Sequence, residues 1–135
     1  MLGPDAEFDL HGGKLRVLAV DIYDTTIDIR WRVGPEPDVA AVFPSEVAQL
    51  VHDTEGTDDW AAEELQTKGK QRLHVRRLFR FQLSDDVGTE YMSSGASSGG
   101  GGGETTGNAT FAPAPPQDAS VVTLTWHGVE VPIPL

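Results

Sequence analysis

The segment Ile27-Asp28-Ile29-Arg30-Trp31-Arg32-Val33 alternates strictly between apolar and charged residues. Only an extended chain sends successive side chains to opposite faces, so this period of two predicts a strand with one face buried. Any fold built around it must bring a second apolar layer against Ile27, Ile29, Trp31 and Val33. The same alternation returns near the C-terminus, where Val122, Leu124 and Trp126 share one face and Thr123 and Thr125 the other. His127-Gly128 turns that strand into a last one over 129–135, whose Pro132 and Pro134 fall on the polar parity. Proline cannot donate to a ladder, which predicts a sheet edge for this strand.

Leu15 to Tyr23 is apolar on both faces, as in a central strand or one whose phase is shifted by a bulge. Asp24-Thr25-Thr26 joins it to the Ile27 strand as a hairpin, and Phe8 and Leu10 mark a short first strand ended by His11-Gly12-Gly13. Beyond Gln71, Leu73, Val75, Phe79, Phe81 and Leu83 share one parity, interrupted only by Arg77. Lys70, Arg72, His74, Arg76, Arg80 and Gln82 take the other, predicting one long strand with an apolar and a basic face. A tight turn over 84–88 leads to a return strand from Thr89. The Ser/Gly run 93–107 predicts a flexible hairpin loop.

Between Val33 and Gln71 the texture differs. Gly34-Pro35-Glu36-Pro37 signals a loop, and two short helices are predicted at about Ser45–His52 and Asp58–Thr67. The expected architecture is therefore mainly β and a single domain over 1–135. It is an immunoglobulin-like antiparallel β-sandwich of seven or eight strands, with a short helical insertion at about 38–67 and a closed barrel as the rival.

Phe79-Arg80-Phe81-Gln82-Leu83-Ser84-Asp85-Asp86-Val87-Gly88-Thr89-Glu90-Tyr91 resembles a run common in bacterial immunoglobulin-like domains: an apolar strand ends in Asp-x-Gly and is followed by Tyr. Phe111-x-Pro113 and the strand 121–126 are similar to such domains as well, the actinobacterial antigens among them, and the likeness covers about residues 70–135. The resemblance implies an immunoglobulin-like fold and non-enzymatic roles, and carries over no functional residues. Arginine in excess of lysine, with abundant Ala, Val, Gly and Asp, also suggests a bacterial source rich in G and C.

Charge and composition narrow the function classes. A formal net charge of −11 opposes nonspecific binding of nucleic acid or of an acidic membrane by the whole surface. The absence of cysteine excludes disulfides, thiolate catalysis and cysteine-ligated metals. No stretch is apolar for long enough to span a membrane, and Asp5, Glu7 and Asp9 interrupt the start, so a cytoplasmic protein is expected, or a secreted one if a leader is removed.

Charge is also unevenly distributed. Acids at 36, 38, 46, 53, 55, 58, 59, 63 and 64 have no Lys or Arg between them, whereas bases at 68, 70, 72, 76, 77 and 80 have no acid. The candidate binding residues are Arg30, Arg32, Arg72, His74, Arg76 and Arg80, read as one basic strand face. Either the acidic insertion folds over that face and neutralises it, or the face serves an acidic partner. Gly99–Gly103 lacks the Gly-Lys-Ser/Thr and helix of a phosphate loop. The acids at 53–59 and at 85, 86 and 90 lack the spacing of a calcium loop, and no motif places a nucleophile beside His11, His52, His74 or His127. The expectation is thus a non-catalytic protein-binding or structural module without metal or cofactor, whose partner is another protein or a second copy. A domain binding an anion or calcium through the basic face or acidic loops is the alternative.

Overall fold

The computed structural model describes residues 7–135, the side chain of Val75 apart. Asp5, among the acids read at the start of the chain, lies outside the described residues. Eight strands are found among them: β1 (Phe8–Leu10), β2 (Gly13–Ile22), β3 (Ile27–Val33), β4 (Gln82–Asp85), β5 (Met92–Gly101), β6 (Glu104–Ala112), β7 (Val121–Trp126) and β8 (Val129–Pro134). They form two antiparallel sheets, ordered β1-β2-β3-β6-β5 and β4-β7-β8. The chain is therefore mainly β, and β8 lies at an edge as its prolines require.

Central strand β3 shows why the sheets form. Ile27, Ile29, Trp31 and Val33 are buried, while Asp28, Arg30 and Arg32 are not. The facing strand β7 buries Val122, Leu124 and Trp126 in the same alternation. Phe81 joins the two layers, its ring centroid 5.1 Å from Trp31 and 6.3 Å from Trp126. Strand β2 does contain the bulge its unbroken apolar run suggested, between Val17 and Ala19, and Leu18 is left half-exposed there.

Three hairpins close through two residues, both with positive φ: His11-Gly12, Gly102-Gly103 and His127-Gly128. Such turns match the right-handed twist of paired strands. Histidine is among the few side-chain-bearing residues that adopt this conformation readily, so His11 and His127 serve the backbone.

Two expectations need correction. The Ser/Gly run is not a loop: Met92 to Gly101 is a strand laddered to β6, from Met92↔Ala112 to Gly101↔Glu104. Every residue of β5 is exposed, so nothing forces an apolar alternation there and the sequence shows none. Gly107 on β6 has a separate reason, because a Cβ there would meet the Ser97 carbonyl and lie 2.7 Å from Trp31 Cζ2.

The second correction concerns 71–81, read as a basic strand. Helix α1 (Val39–Val42), helix α2 (Pro44–Asp53) and helix α3 (Asp59–Leu73) are followed by a π-helical turn at His74–Leu78, and β4 starts only at Gln82. From Asp59 to Leu78 there is no proline, and Ala, Glu, Gln, Lys, Arg and Leu dominate, all good helix formers. The acids fall in the first half of α3 and the bases in the last, so each end carries charge opposite to the helix dipole, each such charge stabilising by about 0.3–1 kcal/mol. The described chain divides into two compact units: the strands with their loops (up to Glu36, and Phe81–Leu135), and the helices (Pro37–Arg80).

In the β unit, Gly107→Ala is expected to lower stability by about 1–3 kcal/mol, since backbone and a buried tryptophan must both shift. Urea denaturation followed by tryptophan fluorescence measures it.

Candidate functional site: an arginine-lined cleft in the helical unit

Helices α2 and α3 cross at Gly69, the one fully buried residue of α3. A Cβ at that position would lie 2.5 Å from Leu50 Cδ2, so glycine is what allows the approach. Thr54 fastens the far end of the pair: its hydroxyl donates to the carbonyls of Leu50 and Val51 and accepts from Gln66 Nε2 at 2.8 Å. Beside this crossing lies a cleft of about 320 Å³. Leu50, Gly69 and Leu73 supply apolar lining, and Arg72, Arg76, Arg77 and Arg80 surround it with Glu46.

The four guanidinium groups are differently engaged. Arg77 Nη1 lies 3.3 Å from Glu46 Oε1, and its guanidinium carbon sits 4.8 Å above the ring centre of Phe43. Arg80 Nε donates to the Arg76 carbonyl at 2.6 Å. Arg72 and Arg76 have side chains without hydrogen bond or ion pair among the described residues. Lys68, one turn before Arg72, is balanced by Glu64 at 3.1 Å. Lys68, Arg72 and Arg76 recur every fourth residue and so share a helix face. Like charges at that spacing cost about 0.2–0.5 kcal/mol per pair.

Of the residues read as one basic face, Arg72, Arg76 and Arg80 come together here. His74 does not line the cleft; its ring stands edge-on to Phe79 at 5.2 Å. Arg30 and Arg32 belong to β3, in the other unit. Arg32 is paired with Glu104, and Arg30 lines a shallow depression with Leu18, Ser97 and Asn108. The expected single strand face therefore does not exist, because its members lie on a helix and on a strand. The acidic insertion finds basic partners within the helices themselves, as Glu46–Arg77 and Glu64–Lys68. Sequence reading missed Arg77 as a cleft residue, along with Leu50 and Leu73. The recurrence of Lys68, Arg72, Arg76 and Arg80 every four residues was the available signal.

Both acids of the Asp85-Asp86 pair are committed to the backbone. Asp85 accepts from Val87 N and Thr89 N, each at 3.0 Å, and from the Tyr91 hydroxyl at 2.8 Å. Lost hydration raises its pKa, but these bonds and one from the Thr89 hydroxyl outweigh that and hold it at about 2. Burial, and then the bond to Asp85, push Tyr91 up to about 12. Asp86 accepts from the hydroxyl and the backbone N–H of Ser120, which lowers its pKa. The turn lock is thus made by Asp85, the residue before the Asp-x-Gly-x-x-Tyr run, while Asp86 of that run ties the turn to Ser120. Among the described residues, no group of three or more His, Asp or Glu is arranged to hold a metal ion, and no helix is long and apolar enough to cross a membrane.

Comparison with protein-family models, with curated proteins and with solved structures finds no match to this chain. Its class therefore rests on the strands and the cleft: a protein of two antiparallel sheets with a separate helical unit.

The turn lock fixes a pH dependence. A carboxyl depressed from 3.8 to about 2 contributes stability that is complete from about pH 5 upward and is lost as pH falls through 3.8 and then through about 2. Asp85→Asn should melt lower than the native chain at pH 7, with the gap narrowing toward pH 2. Thermal melts across that range read the difference.

Proposed function

We propose that this chain is a non-catalytic binding module, in which an immunoglobulin-like β-sandwich carries a helical unit whose arginine cleft recognises an anionic surface on another protein. Strand order supports the scaffold half of this reading. Setting β1 aside, β2-β3-β6-β5 and β4-β7-β8 follow the ABED and CFG orders of a constant-type immunoglobulin sandwich. Trp31 and Trp126 then stand on the B- and F-type strands, which a disulfide joins in antibody domains, with Phe81 between them. In a chain without cysteine, three aromatic rings fill that place.

The helical unit occupies the connection between the B- and C-type strands. That connection is a recognition loop in antibody variable domains. One observation carries the binding half: among the described residues, Arg72 and Arg76 are uncompensated guanidinium groups beside an apolar floor, in a chain whose net charge is −11. Ordinary solubility does not require them, since the overall charge already keeps copies apart. Arginine forks suit carboxylate and phosphate geometry, and their stems add apolar contact.

Polyglutamate is a direct probe. The full chain should bind it at low ionic strength, binding should weaken as salt rises, and Arg72→Glu with Arg76→Glu should reduce affinity by about tenfold or more. Calorimetry at two salt concentrations measures this. Equal binding by the folded double variant would remove the cleft from the function.

A further inference from the structure

Resting on that reading, the geometry points to an acidic amphipathic helix as the cleft's occupant, with carboxylates on successive turns and an aliphatic residue between them. The spacing of the cations is the first argument. Arg72 and Arg76, which both border the cleft, are four residues apart, so their bases stand about 6 Å apart along the axis; Lys68, a turn earlier, is paired with Glu64 and does not line it. Acids at four-residue steps on a facing helix repeat at the same interval. Arg77, within the π-helical turn at His74–Leu78, and Arg80 after it border the same cleft.

The lining is the second argument. A single compact anion is best held by converging donors, but here the guanidinium groups are strung along α3 and beyond it to Arg80, with Leu50 and Leu73 beside them. An elongated ligand with a hydrophobic residue uses both features, in the manner of a helix laid in a groove. Nucleic acid fits less well. Among the described residues no aromatic side chain lines the cleft for a base to stack on, and the chain's net charge of −11 repels a long polyanion.

The test is fluorescence anisotropy on the full chain with a labelled helical peptide bearing Glu every fourth residue and Leu on the same face. Controls are a peptide of identical composition in scrambled order, tripolyphosphate, and single-stranded DNA. The expected result is that the patterned peptide binds about tenfold tighter than the scrambled one, a difference of about 1.4 kcal/mol. Arg72→Gln with Arg76→Gln, confirmed as folded by circular dichroism, should remove that preference. Four results would overturn the inference: equal affinity for patterned and scrambled peptides, loss of the patterned peptide to tripolyphosphate or DNA at equal charge, an unchanged preference in the folded variant, or a cleft occluded by a second copy, read as a concentration-dependent mass in light scattering. If polyglutamate still binds in those cases, the anionic-partner reading survives while the helical one falls. If neither polyglutamate nor peptide binds, both fall.

Discussion

Burial of one face of β3 is the constraint on which the β unit depends. Ile27, Ile29 and Val33 are completely inaccessible and Trp31 nearly so, and no single sheet can bury such a face. A second sheet must cover it, and β7 with its neighbours does so through Val122, Leu124 and Trp126. Pairing β3 to β2 on one side and β6 on the other then fixes the order of the larger sheet. Even Gly107 follows from Trp31, whose ring occupies the space a Cβ would need. Outward residues of the same strands are tied more loosely, in exposed pairs such as Arg16–Glu7 and Arg32–Glu104, each contributing about 0–1 kcal/mol.

The helical unit is organised by charge order as much as by burial. Its longest helix has one fully buried residue, Gly69, and little apolar surface to commit. What favours it is helix-forming composition, acids at the start, bases at the end, and pairs such as Glu64–Lys68. The same order gives the unit its chemistry. Bases collected at one end for the sake of the dipole outnumber the acids within reach, and the surplus guanidinium groups border the cleft. Fold and candidate function draw on the same residues.

Much of the β unit was legible in the sequence because burial on one face writes a period of two. β3, β7, the bulged β2, the His-Gly turns and the proline-bearing edge strand could all be read that way. The segment 71–81 misled because apolar residues on alternate positions fit a strand as well as a short helical stretch. Arg77 on the apolar parity was the sign against a strand, and the four-residue recurrence of bases was the sign for a helix. Of β5 only the start could be read, as the return strand after the 84–88 turn; its Ser/Gly part could not. It is held by its backbone ladder to β6 and buries no side chain, so it leaves no pattern in the sequence. Three of the six candidate residues proved to share a cleft, but on a helix, and the aliphatic side of that cleft depends on α2 meeting α3, which no local pattern reports.

The ladder between β3 and β6 has a kinetic consequence. It pairs Ile27 with Phe111 and Val33 with Thr105, so more than half the chain must close into a loop before the central sheet exists. Closure entropy rises only slowly with length, by about 0.6 kcal/mol per doubling, yet it is spent before any long-range pairing repays it. The helices lie inside that loop and make their contacts locally. Once formed, they shorten the flexible chain that separates the two strands. Helices formed early inside that loop would leave less flexible chain to close, and so lower the entropy cost of bringing the two strands together.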